Sequence, residues 1–228
     1  YIVNELSGLG VPFNRYKGKL EQRYFGGQKK RRTAFAKSST GKMLVSALID
    51  EARKYEDQGI INRYCRHSFY GLRLENKADT SNKRICKGVL ILDEHTKDVL
   101  SLSGPVIMAC GGLNGFFPEW TTGTTMNSGM AAAELFYEGV AFANLEMIQY
   151  HPTTIGIPGK RCLISEAARG EGGRLFILKG DTPFYFMEEK YPELGNLMPR
   201  DVVSREITFV KNDNRFNGFV YLDMRGIN

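Results

Sequence analysis

Between Tyr150 and Arg205 the chain places charged and polar side chains among apolar neighbours, where most globular sequences would keep them apart. Cys162-Leu163-Ile164 and Ala167-Ala168 form an apolar strip that reads as the approach to a helix start, and Ser165, Glu166, Arg169 and Glu171 are crowded onto it. Burying such charges costs free energy unless each finds a partner. Glu166 and Arg169 stand three residues apart, which stacks them on one helical face, where a carboxylate and a guanidinium can share protons and hydrogen bonds, a candidate proton wire. Farther on, Pro199-Arg200-Asp201 opens VVSREI: the proline permits a stop, Asp201 can cap the helix that follows, and Arg200 can point away from it into a cleft. Each feature also has a plainer reading. The Glu166–Arg169 pair suits an ordinary structural ion pair, Arg200 a surface position, and His151, next to Pro152, a gap in a core.

Elements to position these residues can be read around them. Gly170 and the Gly172-Gly173 pair let the backbone turn sharply or approach something flat, a ligand being one candidate. Pro105 to Cys110 is a short continuous apolar run, the pattern of a strand covered on both faces, and it stops at Gly111-Gly112; such strand ends are common ligand edges in open α/β sheets. NGFFPEWTTGTTMNSG then feeds a helix predicted over Met130 to Glu138 and ended by Gly139. A hydroxyl-rich loop at a helix N-terminus offers N–H groups and a positive dipole end to an anion such as a pyrophosphate; a well-capped surface helix fits the pattern equally. Upstream, Ser38, Ser39 or Thr40 caps a helix in which Met43, Leu44, Ala47, Leu48 and Ala52 recur at helical spacing through about Lys54. NRYCRHSFYGLRLE and CKGVLILDEHTKDVLSLSG read as an antiparallel meander with a hairpin at EHTK, Leu145 to Gln149 as a further strand, and Tyr1 to Arg32 as turns and short strands.

Composition narrows the function classes. The 228 residues, 42% of them hydrophobic, suit one large domain or two small ones, and no window reaches the roughly 18–20 apolar residues of a membrane span. Cys65, Cys86, Cys110 and Cys162 are far apart, with no CxxC pair or histidine ladder for a metal, and read as reduced, mostly buried thiols. The net charge of +6 is concentrated early, notably in Lys29-Lys30-Arg31-Arg32, but that run lacks interleaved aromatics and a reading helix, which argues against nucleic acid. An anionic cofactor or a dicarboxylate substrate accounts for local positive charge as well. A soluble, cytoplasm-facing protein is expected.

Taken in order, QYHPTTIG, LISEAARGEGG and PRDVVSR resemble the flavoprotein subunit of fumarate reductase and succinate dehydrogenase, a family shared with L-aspartate oxidase. RYFGGQKKRRTAFAKSSTGKMLVSAL is similar to the same family's segment between its flavin motifs, and VIMACGG to the strand that ends at the flavin's nucleotide half. The resemblance runs over nearly the whole chain. It implies an α/β fold (an α+β mixture): residues 1–150 as part of a Rossmann-like FAD-binding domain with a small antiparallel meander, and residues 151–228 as part of an α+β capping domain.

The resemblance also implies roles. Arg200 would deliver a proton to one carbon of a C4 dicarboxylate while reduced flavin N5 delivers hydride to the other, with Glu166 and Arg169 as its proton relay. His151, Ser165 and Glu166 would hold a substrate carboxylate, Ser165 standing where family members usually carry threonine. Ala109, Gly111, Gly112, Thr121, Gly123, Asn127, Ser128 and Gly129 would contact FAD, and no metal is implied in this chain. An iron–sulfur or other electron-transfer subunit is an implied partner, and peripheral attachment to the inner membrane face through partners an implied location. The chain departs from the family in lacking the GxGxxG unit, the upstream flavin-linking histidine and the downstream substrate histidine and arginine, and in carrying Asn127-Ser128-Gly129-Met130 where many relatives have Thr-Gly-Asp-Gly. It is therefore expected to be an interior segment that alone neither retains flavin nor turns over. A near alternative is L-aspartate oxidase chemistry. The contrasting class is a non-catalytic folded module in which Glu166, Arg169 and Arg200 only hold structure together.

Overall fold

A run of β-branched and aliphatic residues at alternate positions around Leu175 and Ile177 and a helical repeat of Val203, Ile207 and Val210 nucleate the best-packed part of the molecule, seen in a computed structural model that describes residues 1–76 and 84–227. In chain order the elements are α1 (Ile2–Gly8), the hairpin β1 (Arg15–Tyr16) and β2 (Lys19–Leu20), the pair β3 (Gln22–Arg23) and β4 (Thr33–Ala34), and α2 (Thr40–Asp57). A meander of β5 (His67–Asn76), β6 (Arg84–Asp93) and β7 (Val99–Ser103) follows, then a 3₁₀ turn (Asn114–Phe116) and α3 (Met130–Tyr137). The rest comprises β8 (Thr154–Ile157), β9 (Lys160–Leu163), α4 (Glu166–Gly170), β10 (Arg174–Lys179), β11 (Thr182–Phe184), α5 (Phe186–Lys190), a 3₁₀ turn (Gly195–Leu197), α6 (Arg200–Lys211) and β12 (Val220–Asp223). The fold is mixed α/β with small antiparallel sheets.

Two compact units interleave along the sequence. The first gathers Tyr1–Ile61, Ile148–Ile157 and Cys162–Asn228. Its sheet has the order β11-β10-β12, and the buried face of β10 meets Phe186 and Met187 of α5 and Val203 and Val210 of α6. Ile177, Met187 and Val203 are fully enclosed, each contributing about 1.5–3 kcal/mol of transfer free energy. The second unit gathers Asn62–Met147 and Pro158–Arg161 and is built on the meander, whose β6–β7 turn is closed by bonds from Asp93 N to Asp98 O (2.9 Å) and from Lys97 N to Asp93 O (2.9 Å). Here Glu138, just past α3, accepts the Leu72 N–H on both carboxylate oxygens (2.8 and 2.9 Å), at a bulge in β5 between Phe69 and Gly71. Arg84 donates to the Glu138 carbonyl, so both sides of that carboxyl residue are tied to the meander.

Several expectations are corrected. Pro105 to Cys110 forms no strand, and Ile107 is 91% exposed. An interior strand needs neighbours for its backbone groups, and no strand among the described residues pairs with this run. Leu145 to Gln149 is likewise not a strand. Ile2–Gly8 is helical where turns and short strands were expected. Asp201 is not a cap: Pro199 holds the N-cap position of α6 and Asp201 lies inside the first turn, paired with Arg205 at 3.2 Å. The cysteines are free, but Cys65, Cys86 and Cys110 are exposed and Cys162 only partly covered. At α2, Ser39 occupies the cap position without a side-chain bond, while Thr40 Oγ1 accepts the Ala36 N–H at 3.0 Å, tying the helix back to the preceding turn. No helix among the described residues is long and apolar enough to cross a membrane.

Candidate functional site

Helix α4 starts on a cap supplied by sequence: Ser165 Oγ accepts the Ala167 N–H at 3.2 Å, fixing the first turn and placing Glu166 and Arg169 on its inward face. Glu166 is 3% exposed and Arg169 2%. The two carboxylate oxygens divide their work. Oε1 accepts from Arg169 Nη2 at 3.0 Å, whereas Oε2 accepts from Arg200 Nε at 3.0 Å and Nη2 at 2.9 Å. Arg200 reaches Glu166 from the first residue of α6, and its remaining Nη1 donates to Gln149 Oε1 at 3.2 Å. Its side chain keeps 35% exposure, against 0% for Arg169. The three groups thus form a line with one solvent-touching end and one enclosed end.

The enclosed end is anchored by backbone. Arg169 Nη1 donates to the Asn196 carbonyl at 2.7 Å, and Arg169 Nε, buried, has no protein partner. Asn196 is itself fixed by its side chain, which accepts the Leu175 N–H at 2.8 Å and donates to Glu188 at 3.1 Å. Burial pushes the Arg169 guanidinium below the usual arginine value, and Arg200 pushes the same way, while the Glu166 charge and hydrogen bond oppose both.

His151 is brought beside α4 by a two-bond clip: Ile164 N donates to Thr153 O at 3.0 Å, and Thr153 Oγ1 donates to Ile164 O at 3.1 Å. Its Nδ1 lies 3.1 Å from Thr153 O and 3.3 Å from Thr153 N. The imidazole sits below its ordinary pKa chiefly through burial, with the positive charges of Arg200 and Arg169 adding to the shift and the Thr153 carbonyl and Glu166 opposing it. His151, Glu166, Arg169 and Arg200 therefore lie within electrostatic reach of one another in the first unit, with Ser165 at the head of α4. Both carboxylate oxygens of Glu166 are engaged by the two arginines.

Sequence reasoning missed three members of this cluster. Gln149 and the Asn196 carbonyl carry no local pattern that marks them. Gly26 was visible only as a chain breaker; a Cβ placed there would lie 2.9 Å from Glu166 Cδ and nearer still to Oε1.

In the second unit, the loop after Ala109 folds onto the loop before α3. Gly115 N donates to Asn127 O at 2.9 Å, and Gly111, at φ +78°, has room for a Cβ only 3.2 Å from the Asn127 amide. Gly123 donates to Thr121 Oγ1 at 3.0 Å and closes against Asn114. Gly129, also at φ +78°, caps α3 with no side-chain acceptor, so the first N–H groups of that helix are left for another partner. Gly111, Gly123, Asn127 and Gly129 are thereby drawn into one seam, with Gly112 and Ser128 beside it; Ala109 is exposed and lies outside any helix or strand. The pocket along α6, lined by Arg205, Thr208, Phe209, Asn212 and Asp213, shares no residue with either cluster.

A family model described as FAD binding domain matches residues 2–228. The chain belongs to this FAD-binding family. Its cofactor is FAD; within the seam Gly111, Gly123 and Gly129 pack against Asn127, Asn114 and Leu113 of the same loops, and the α3 N-terminus carries no side-chain cap. The chain is 41% identical to the succinate dehydrogenase flavoprotein subunit of Bacillus subtilis over 98% of its own length and 38% of that protein's. It is 34% identical to the 8-methylmenaquinol:fumarate reductase flavoprotein subunit of Wolinella succinogenes, covering 97% of this chain and 35% of the relative. With L-aspartate oxidase 1 of Ralstonia nicotianae it shares 33% identity, over 97% of this chain and 41% of the relative. Among solved structures, a mutant FrdA chain of quinol fumarate reductase from E. coli superposes with TM-score 0.80 at 26% identity, covering 99% of this chain and 39% of that one. The chain therefore spans about two-fifths of the length of these relatives.

Proposed function

We propose that this chain carries the proton-delivery residues of an FAD-dependent oxidoreductase that interconverts fumarate and succinate. The observation that supports it most is the line Arg200–Glu166–Arg169, in which a buried carboxylate is shared oxygen by oxygen between an accessible guanidinium and an enclosed one. Similarity to succinate dehydrogenase and fumarate reductase flavoprotein subunits supports the choice of substrate. Ala109, Gly111, Gly112, Thr121, Gly123, Asn127, Ser128 and Gly129 would hold the FAD, which when bound and reduced supplies hydride to one alkene carbon.

Arg200 gives an N–H proton to the other carbon. A free guanidinium holds its proton far above neutral pH, so the transfer needs a carbanion-like, strongly basic acceptor and immediate replacement of the proton. Glu166 Oε2 receives Arg200's two N–H groups and would be the route of that replacement; Oε1 would take a proton in turn from Arg169, whose burial already favours release and which would regain its own proton from solvent before the next turnover. In the oxidative direction the same steps would run in reverse, Arg200 taking the proton from carbon and Glu166 relieving Arg200 of it. His151, in the neutral tautomer whose Nδ1 accepts the Thr153 N–H and whose Nε2 carries the proton, and the Ser165 hydroxyl would donate hydrogen bonds to one substrate carboxylate, and the positive guanidinium would polarise it. We further propose an electron-transfer subunit of iron–sulfur type as partner and a peripheral position on the inner membrane face.

Similarity to an L-aspartate oxidase favours a second reading, in which the same residues act on an amino dicarboxylate. Steady-state assays of the flavin-loaded protein separate them: reduction of fumarate by a reduced dye, with no turnover of L-aspartate, is the expected result, and the reverse pattern overturns the first reading.

A further inference from the structure

Gly26 touches the relay although it lies 140 residues away from Glu166 along the chain. The turn at Phe25, closed by Gln28 N donating to Phe25 O at 3.1 Å, straddles both ends of the cluster. Gly27 N donates to Leu197 O at 2.7 Å, one residue from the carbonyl that grips Arg169. On the other side, the Tyr24 carbonyl fits against Gly170 so closely that a Cβ on Gly170 would come within 2.8 Å of it. The segment from Tyr24 to Gln28 therefore rests on α4 and on the turn that leads into α6, and over the carboxylate between them it presents bare backbone. An alanine Cβ at position 26 would collide with Oε1, the oxygen that takes Arg169's hydrogen bond, while Oε2, bound to Arg200, is not the atom struck.

We propose that Gly26 is a positioning residue for the proton relay: by lacking a side chain it lets the strap close over Glu166 and keeps Oε1 aligned with Arg169. This rests on the reading of Arg200, Glu166 and Arg169 as the relay. Displacing Oε1 cuts the inner step of proton replacement and leaves the groups that meet substrate in place.

The test uses Gly26→Ala, Gly27→Ala and Glu166→Asp in the full-length, flavin-loaded protein, with the Gly26→Ala/Glu166→Asp double variant. Gly27 lies on the same strap at φ +74°, so alanine strains it, yet its Cβ would meet only Pro199 Cγ at 3.6 Å. Gly26→Ala is expected to lower kcat for fumarate reduction about 100-fold with KM nearly unchanged, and to steepen its decline at high pH, where protons are scarce. Gly27→Ala is expected to stay within about tenfold of wild type, since strain there acts on stability and not on the carboxylate. The aspartate is one methylene shorter and makes room for the new Cβ, so adding Gly26→Ala to Glu166→Asp costs little further activity and little further thermal midpoint. Equal losses for Gly26→Ala and Gly27→Ala, or losses from Gly26→Ala that are the same in both backgrounds, overturn the proposal. If the full-length wild-type flavoprotein turns over neither fumarate nor succinate, the functional reading falls, while the non-additivity of the thermal midpoints still decides whether Gly26 positions Glu166.

Discussion

Replacing Arg200 with lysine keeps a positive charge at the head of α6 and removes the planar fork that the structure uses. Arg200 makes three hydrogen bonds: Nε and Nη2 to Glu166 Oε2 at 3.0 and 2.9 Å, and Nη1 to Gln149 at 3.2 Å. A single ammonium cannot span a carboxylate on one side and an amide on the other while also facing a substrate. Because the side chain is 35% exposed, the folding penalty should be small, about 1 kcal/mol or less after solvent screening. The catalytic penalty is of a different order. A positioned general acid contributes roughly 10²–10⁴-fold, and a loss of three decades corresponds to about 4 kcal/mol in the barrier. Arg200→Lys in the flavin-loaded protein is thus expected to lose about 10³-fold in kcat for fumarate reduction with its thermal midpoint nearly unchanged. Dye-linked kinetics beside a thermal melt measures both. Turnover within tenfold of wild type, with the melt unchanged, would refute the assignment of Arg200 as proton donor and favour a purely structural cluster.

Glu166→Ala should behave oppositely, since it strands the fully enclosed Arg169 charge: a loss of about 3–5 kcal/mol in denaturant unfolding is expected, far more than a surface ion pair would give. His151 supplies a pH test. Its folded pKa lies below the ordinary 6.5, so the folded state binds fewer protons than the unfolded one; its contribution is intact above about 6.5 and is lost as pH falls toward the folded value. Unfolding midpoints between pH 7 and pH 5 should therefore fall less steeply in His151→Gln than in wild type.

What could be read from sequence was local. The three-residue spacing of Glu166 and Arg169 and the start of a helix beside them are short-range patterns whose geometry follows from helix periodicity, and the EHTK turn between apolar runs is equally local. Contacts with no sequence period were not legible. Gly26 against Glu166, the Asn196 carbonyl on Arg169 and Glu138 on Leu72 join residues tens of positions apart, and a backbone carbonyl can belong to any residue type. The run from Pro105 to Cys110 misled for the reverse reason: its apolar composition is what a fully covered strand needs, but a ladder is made by neighbours, and none of the described strands lies beside it. Asp201 misled by one position, because a proline with extended backbone already occupies the cap (φ −51°, ψ 152°).

Two guanidiniums around a single carboxylate leave an odd sum. Within that trio one positive charge has no internal counterpart, and two of the three members are sealed from water, where dissolved ions cannot compensate them. The imbalance is felt at the one member with an outlet, so small dianions meet an attraction that their neutral analogues do not. Malonate should therefore compete with substrate, whereas its diamide should pass unnoticed.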